Sequence, residues 1–216
     1  MRAMSRVMAI LVFAVVGLVG TAQEGRLAAG GHPGSAADLK AVLRDLWSGH
    51  NFWLRNIALD NTTNNRKALD YAEKSVATNA RQIAKAFSPF YGEAASEELF
   101  ALLVKHSGAI KAYSEATVAG NKSRQDAAKA DYASNTDEIA TFFSGVSRYL
   151  PKDRVRGLFT AHGTHQFELI KELQEEDYAH EAETWQQMEQ HGHAIADTLT
   201  AALERQFPNK FSGHVQ

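Results

Sequence analysis

A step of 56 residues runs through this chain and carries a histidine with it. His50, His106 and His162 are each 56 apart, and Leu46, Leu102 and Leu158, four residues earlier, keep the same step. A second register holds Ile83, Ile139 and Ile195, each followed by an alanine, with Phe87, Phe143 and Leu199 beyond. Four residues before those isoleucines stand Asn79, Asn135 and His191. A fixed period of this length is the mark of one supersecondary unit used several times. Polar positions that repeat inside an apolar stripe add a further requirement, because buried polar groups need partners.

The unit reads as two helices. Ala, Leu, Glu, Lys and Gln are abundant after Ser35, and Pro occurs there only at 89, 151 and 208, near expected helix ends. First helices are expected over 36–59, 96–119 and 152–175, and second helices over 66–87, 123–143 and 177–206. Residues 61–64, 120–121 and 175–177 supply the turns within hairpins, and 88–92 and 149–151 join one hairpin to the next. Ser96 with Glu98, and Ser123 with Asp126, sit where N-cap chemistry is expected. Apolar stripes at three-to-four spacing, such as Leu43, Leu46, Trp47, His50, Trp53, Leu54 and Ile57, agree with helices buried on one face. The expected fold is all-α: a six-helix bundle of three hairpins of about 56 residues with pseudo-threefold character. An open solenoid of three repeats is the alternative.

The start of the chain reads as a secretory signal over residues 1–22. Arg2 and Arg6 precede an uncharged apolar run from Val7 to Gly20, and Gly20-Thr21-Ala22 offers small residues for cleavage, as such signals require. A mature protein beginning near Gln23 follows, with a flexible leader over 23–34, one helical domain over 35–211 and a short tail over 212–216. Secretion, and in a bacterium the periplasm, is the expected location. The chain has 23 Lys plus Arg against 25 Asp plus Glu; losing Arg2 and Arg6 leaves a net charge near −4, which offers no footprint for nucleic acid or anionic lipid. There is no cysteine, which excludes disulfides, thiolate metal sites and cysteine nucleophiles together.

In a closed threefold bundle the three repeated histidines converge on the axis. Neutral imidazoles meeting there can bind one metal, with a fourth position open. An all-nitrogen trio suits Zn²⁺ or Cu²⁺, and Fe²⁺ less well without a carboxylate. His191 is a candidate fourth ligand, and Asn79 and Asn135 are natural partners for fixing imidazole tautomers. Two other readings use the same residues: a buried His/Asn layer that only sets helix register, and a pocket for a small organic ligand. His165 with Glu168 and His193 with Asp197 form pairs three and four apart that can add ligands or remain solvated at the rim. Trp47 and Trp53 beside His50 read as core, and Arg55 as a clamp for a carboxylate such as Asp45 or for an anionic ligand. His32, His180 and His214 take no role.

Carboxylate-bridged di-iron bundles need Glu-x-x-His on two helices, and the chain contains none. Phosphate loops, Gly-x-Ser-x-Gly and His-Glu-x-x-His are also missing from it, so the familiar nucleotide and hydrolase motifs are excluded. A metal-hydroxide enzyme built on the trio remains a third function class beside metal binding and a purely structural domain, without an accompanying acid or base in sequence.

Three segments, LWSGHNFWLR at 46–55, AFSPFYG at 86–92 and IADTLTAALERQFPNKF at 195–211, resemble a family of small bacterial proteins. That family carries a Leu-Trp-x-x-His-x-x-Trp-x-Arg start, a Pro-x-Tyr-Gly linker and a Gln-Phe-Pro-x-Lys-Phe end. The likeness runs over 35–211 and implies an all-helical bacterial protein, with no activity attached. Leu54 stands where the family usually has Thr.

Overall fold

The computed structural model describes residues 34–211; the expected signal, the leader up to residue 33 and the tail lie outside them. Among the described residues six helices follow one another: α1 Ala36–Thr62, α2 Arg66–Tyr91, α3 Glu93–Val118, α4 Lys122–Val146, α5 Lys152–Gln174 and α6 Tyr178–Gln206, with a short 3₁₀ turn at Pro208–Lys210. No strand occurs among the described residues, so the all-α expectation holds. None of these helices is long and apolar enough to cross a membrane.

Three tight turns recur at the same register. Asn64, Gly120 and Glu176 all have positive φ, at 53°, 62° and 58°, and each is followed by an N-cap residue, Asn65, Asn121 or Asp177, whose side chain accepts from a backbone N–H three residues on. The amides of those caps donate back to Asp60, Ala116 and Glu172, and the positive-φ residues to Asn61, Thr117 and Leu173. This double bond pattern closes a helix with its C′ residue in the left-handed region, and here the same three residues also start the next helix. The local chemistry therefore reverses the chain after α1, α3 and α5 in the same way.

Two expectations at helix ends are corrected. Ser96 and Ser123 lie inside helices, and Gly92 and Asn121 occupy the N-cap positions. The linker at 88–92 is mostly helical, with Pro89 inside α2. Pro89 ought to break the last turn, but Phe90 and Tyr91 are anchored from outside: Phe90 packs on Phe207 and Phe211 at ring separations of 5.5 and 5.4 Å, and the Tyr91 hydroxyl meets Gln206. Tertiary contacts override the local signal.

Each helix packs on the next, α6 packs on α1, and α1, α3 and α5 also touch one another. An open solenoid would keep α1 away from α6. Register-equivalent residues meet across the contacts between successive units. Lys111 pairs with Glu73 at 2.8 Å, Arg55 lies over Trp185 at 5.6 Å, and Lys129 lies over the Phe167 ring at 5.5 Å.

The mutually contacting helices bury residues at alternating spacings of four and three. Leu43, Leu99 and Val155 are buried, then Trp47, Leu103 and Phe159, then the three histidines, then Leu54, Ile110 and Gln166, then Ile57, Tyr113 and Leu169. Apolar packing forms two clusters, one containing Leu43, Trp47, Phe87 and Phe159, the other containing Leu54, Ile57, Ile110 and Leu169. In sequence on every one of these helices the histidine falls between the residues of the first cluster and those of the second. The core is thus interrupted by a polar layer.

Candidate metal centre

α1, α3 and α5 each contribute one histidine to that layer, and His50, His106 and His162 are all 0 % exposed. Each offers a ring nitrogen lying within 4.8 Å of the others'. The rings are 5.9 Å (His50–His106), 6.1 Å (His50–His162) and 5.3 Å (His106–His162) apart between centroids. Three nitrogens bound to one tetrahedral ion at about 2.0–2.1 Å stand about 3.4 Å apart.

The electrostatics favour neutral rings. Burial lowers His50 to about 4 against the opposing effect of the hydrogen bond its ring donates to Asn79 Oδ1, and lowers His106 to about 3 with help from His50. His162 is held well below the ordinary histidine range by burial first, then by His106, His50, His191 and His165. Neutral imidazole is the metal-ligating form.

Hydrogen bonding leaves these rings unsatisfied. Nδ1 of His50 meets Asn79 Oδ1 at 3.2 Å, but its Nε2 and both nitrogens of His106 and His162 have no hydrogen-bond partner. Asn135 is close enough to His106 to favour its charged form, but no hydrogen bond joins them. A buried polar group without a partner costs about 1–3 kcal/mol. Protein groups alone therefore leave five ring nitrogens of this layer without a partner, a demand that a bound ion or buried water would meet.

The outer helices hold this layer through a repeated clamp. Asn79 Nδ2 donates to Leu46 O at 2.9 Å, Asn135 Nδ2 to Leu102 O at 3.1 Å, and His191 Nε2 to Leu158 O at 2.8 Å. Each accepting leucine lies one turn before a trio histidine. The side chains expected to fix tautomers therefore also pin the backbone from which the imidazoles project. His191, expected as a fourth ligand, stands beside the trio: it stacks 6.5 Å from His162 with Nε2 committed to Leu158.

The remaining expected site residues separate. Trp47 is buried edge-on to His50 and His162 at 5.5 and 5.9 Å. Trp53 sits at the edge of the core: half-buried, it packs against the second apolar cluster, touches Phe52 and the exposed Tyr71, and lines an open cleft between α1 and α2. Arg55 clamps the buried Glu181 at 2.6 and 3.1 Å, and Asp45 is not its partner. His193 and Asp197 do not pair: His193 meets Ser48 at 3.3 Å, while Asp197 takes a two-point bond from Arg44 at 2.8 and 2.6 Å. His165 keeps Glu168 at 3.9 Å. His180 is exposed and bonded to Asp177, which raises its pKa. His32 and His214 lie outside the described residues.

Two contributors escaped the sequence reading. Gln166 is 0 % exposed, and neither amide atom has a partner. It follows His162 by one turn, in the register of Leu54 and Ile110, so an amide replaces an apolar side chain beside the trio. The break in register was the available signal. Tyr132 packs its ring 4.7 Å from His106 and donates its hydroxyl to Phe159 O at 2.7 Å. Gly163 makes the room, since a Cβ there would stand 2.2 Å from the tyrosine ring.

No protein-family model matches the chain, and no curated protein or solved structure matches it significantly.

Proposed function

We propose that this is an exported protein that binds one divalent transition-metal ion, Zn²⁺ or Cu²⁺, through His50, His106 and His162, to buffer, carry or sense it. The observation that carries this reading is the set of five unpartnered ring nitrogens in a fully buried trio whose donors lie within 4.8 Å. Thiolates and carboxylates are not part of that group, and neutral imidazole nitrogens suit Zn²⁺ and Cu²⁺. Enclosure favours holding an ion over hydrolytic turnover, because a metal-bound hydroxide must meet its substrate.

The framework of the proposal is a pseudo-threefold arrangement of three hairpins. Its support is the shared turn geometry at Asn64, Gly120 and Glu176, the clamp repeated at a separation of 33 residues, and the contact of α1 with α6. Export, with the periplasm as destination, rests on the basic and apolar pattern of residues 1–22.

Elemental analysis of protein purified without an affinity tag tests the function. One zinc or copper per chain is the expected result. No bound metal, together with an unfolding midpoint unmoved by chelator or by added Zn²⁺ or Cu²⁺, would leave a purely structural polar layer.

A further inference from the structure

The third unit breaks the 56-residue register twice in the same chemical direction. Position 79/135/191 reads Asn, Asn, His, and position 53/109/165 reads Trp, Ala, His. His191 still performs the asparagine's task, donating to the leucine carbonyl one turn before the trio histidine. An asparagine suffices for that. What the imidazole adds is Nδ1: with the proton on Nε2, the neutral ring keeps a lone pair on its other nitrogen.

That ring has two histidine neighbours. His191 stacks on His162 at 6.5 Å with 19° between planes, and His165 meets it edge-on at 5.6 Å. Nδ1 of His165 is buried without a hydrogen-bond partner, and Glu168 Oε2 is 3.9 Å from it on a side chain that is 55 % exposed. Donor groups therefore run from solvent to the enclosed trio in the order Glu168, His165, His191, His162. The positions of Glu168 in the other units hold Asn56 and Ala112, so the equivalent lines there read Asn56, Trp53, Asn79 and Ala112, Ala109, Asn135. Neither contains a strong ligand for a transition metal.

An ion bound at the trio must shed its water on the way in, and a buried site needs a route. Imidazoles a few ångströms apart can replace water ligands stepwise. We propose that Glu168, His165 and His191 form a transfer path along which a divalent transition-metal ion moves between solvent and the trio. This path rests on the metal reading of the trio. Its one-sided placement gives the three units different tasks: all three hold the ion, and the third admits it.

The test is stopped-flow transfer of Zn²⁺ from a chromophoric chelator to the metal-free protein, with dissociation followed by the reverse exchange. The variants are H191N, which keeps the clamp in the form the other two units use, H165A, which copies Ala109, and the exposed E168Q. H191N and H165A should load and release at least 10-fold more slowly than wild type, with both rates falling together, and E168Q should slow loading by a smaller factor. Wild-type loading rates in H191N and H165A would overturn the path while leaving the trio intact. Weaker affinity in H191N through faster release alone would overturn it too, making His191 a ligand of the resting ion. A wild-type protein that takes up no Zn²⁺ would remove the trio reading, and the path with it.

Discussion

His191 grips the carbonyl oxygen of Leu158 through Nε2 at 2.8 Å, in the place where Asn79 and Asn135 grip Leu46 and Leu102 through their amides. Two different side chains thus meet one geometric demand, a donor reaching from an outer helix to the backbone behind a trio histidine. Losing that donor in H191A should cost about 1 kcal/mol of stability, the usual net worth of such a bond. H191N should recover most of it. Urea midpoints of the metal-free proteins check this, and equal midpoints for H191A and wild type would mean that the clamp contributes nothing.

Gly163 is the tightest point beside the trio. A methyl group there would stand 2.2 Å from the Tyr132 ring, and the tyrosine is tied by its hydroxyl to Phe159 O. Gly163→Ala should therefore destabilise by about 1–3 kcal/mol or more, as overpacking does, despite alanine's better helix propensity. A neutral or stabilising effect in thermal unfolding would show that Tyr132 can withdraw.

Glu176 adopts a left-handed backbone, φ 58°, at the register position where Gly120 sits without strain. Glu176→Gly should stabilise the protein by about 0.5–1 kcal/mol, because relief of the side-chain clash outweighs glycine's extra chain entropy. Denaturant unfolding reads the change directly, and a loss of stability would count against the shared turn geometry.

Acid should unfold the metal-free protein through the trio. Burial first, then neighbouring histidines for His106 and His162, holds the folded values below the ordinary 6.5, with His50 at about 4 and His106 at about 3. The unfolded chain then takes up protons that the folded chain refuses, so stability is fully present above about pH 6.5 and falls as the pH drops below it. Each histidine contributes a slope of up to about 1.4 kcal/mol per pH unit between its unfolded and folded values. Chelator-treated protein measured between pH 7.5 and 4.5 should show this fall, and a variant with one trio histidine removed should show a shallower one. A flat profile would mean that water reaches the rings.

The histidine layer and the helices around it were legible because repetition exposes them: groups recurring at 56-residue intervals on apolar stripes point to one supersecondary unit used again. Features set by one particular long-range neighbour were not. Arg55 finds Glu181, 126 residues away, and no local pattern separates that partner from Asp45. Helix α2 runs through Pro89 because Phe207 and Phe211 hold Phe90, which local propensity cannot anticipate. Trp53 looked like core by spacing but lies at the edge of its stripe, facing Tyr71. Gln166 was readable in principle as the polar member of a Leu54, Ile110, Gln166 register. A repeat makes its recurring register positions stand out, and a departure such as Gln166 is visible only against them.

Most direct is the unfolding midpoint of tag-free, chelator-treated protein with and without one equivalent of Zn²⁺ or Cu²⁺, measured in parallel on H106A. Binding to the folded state alone stabilises by about 2.7 kcal/mol at a free ion concentration 100 times the dissociation constant. Wild type should show a clear metal-dependent rise at neutral pH, saturating at one ion per chain, and H106A should show none. A midpoint in wild type that no divalent ion moves, or an equal rise in H106A, would contradict metal binding by His50, His106 and His162.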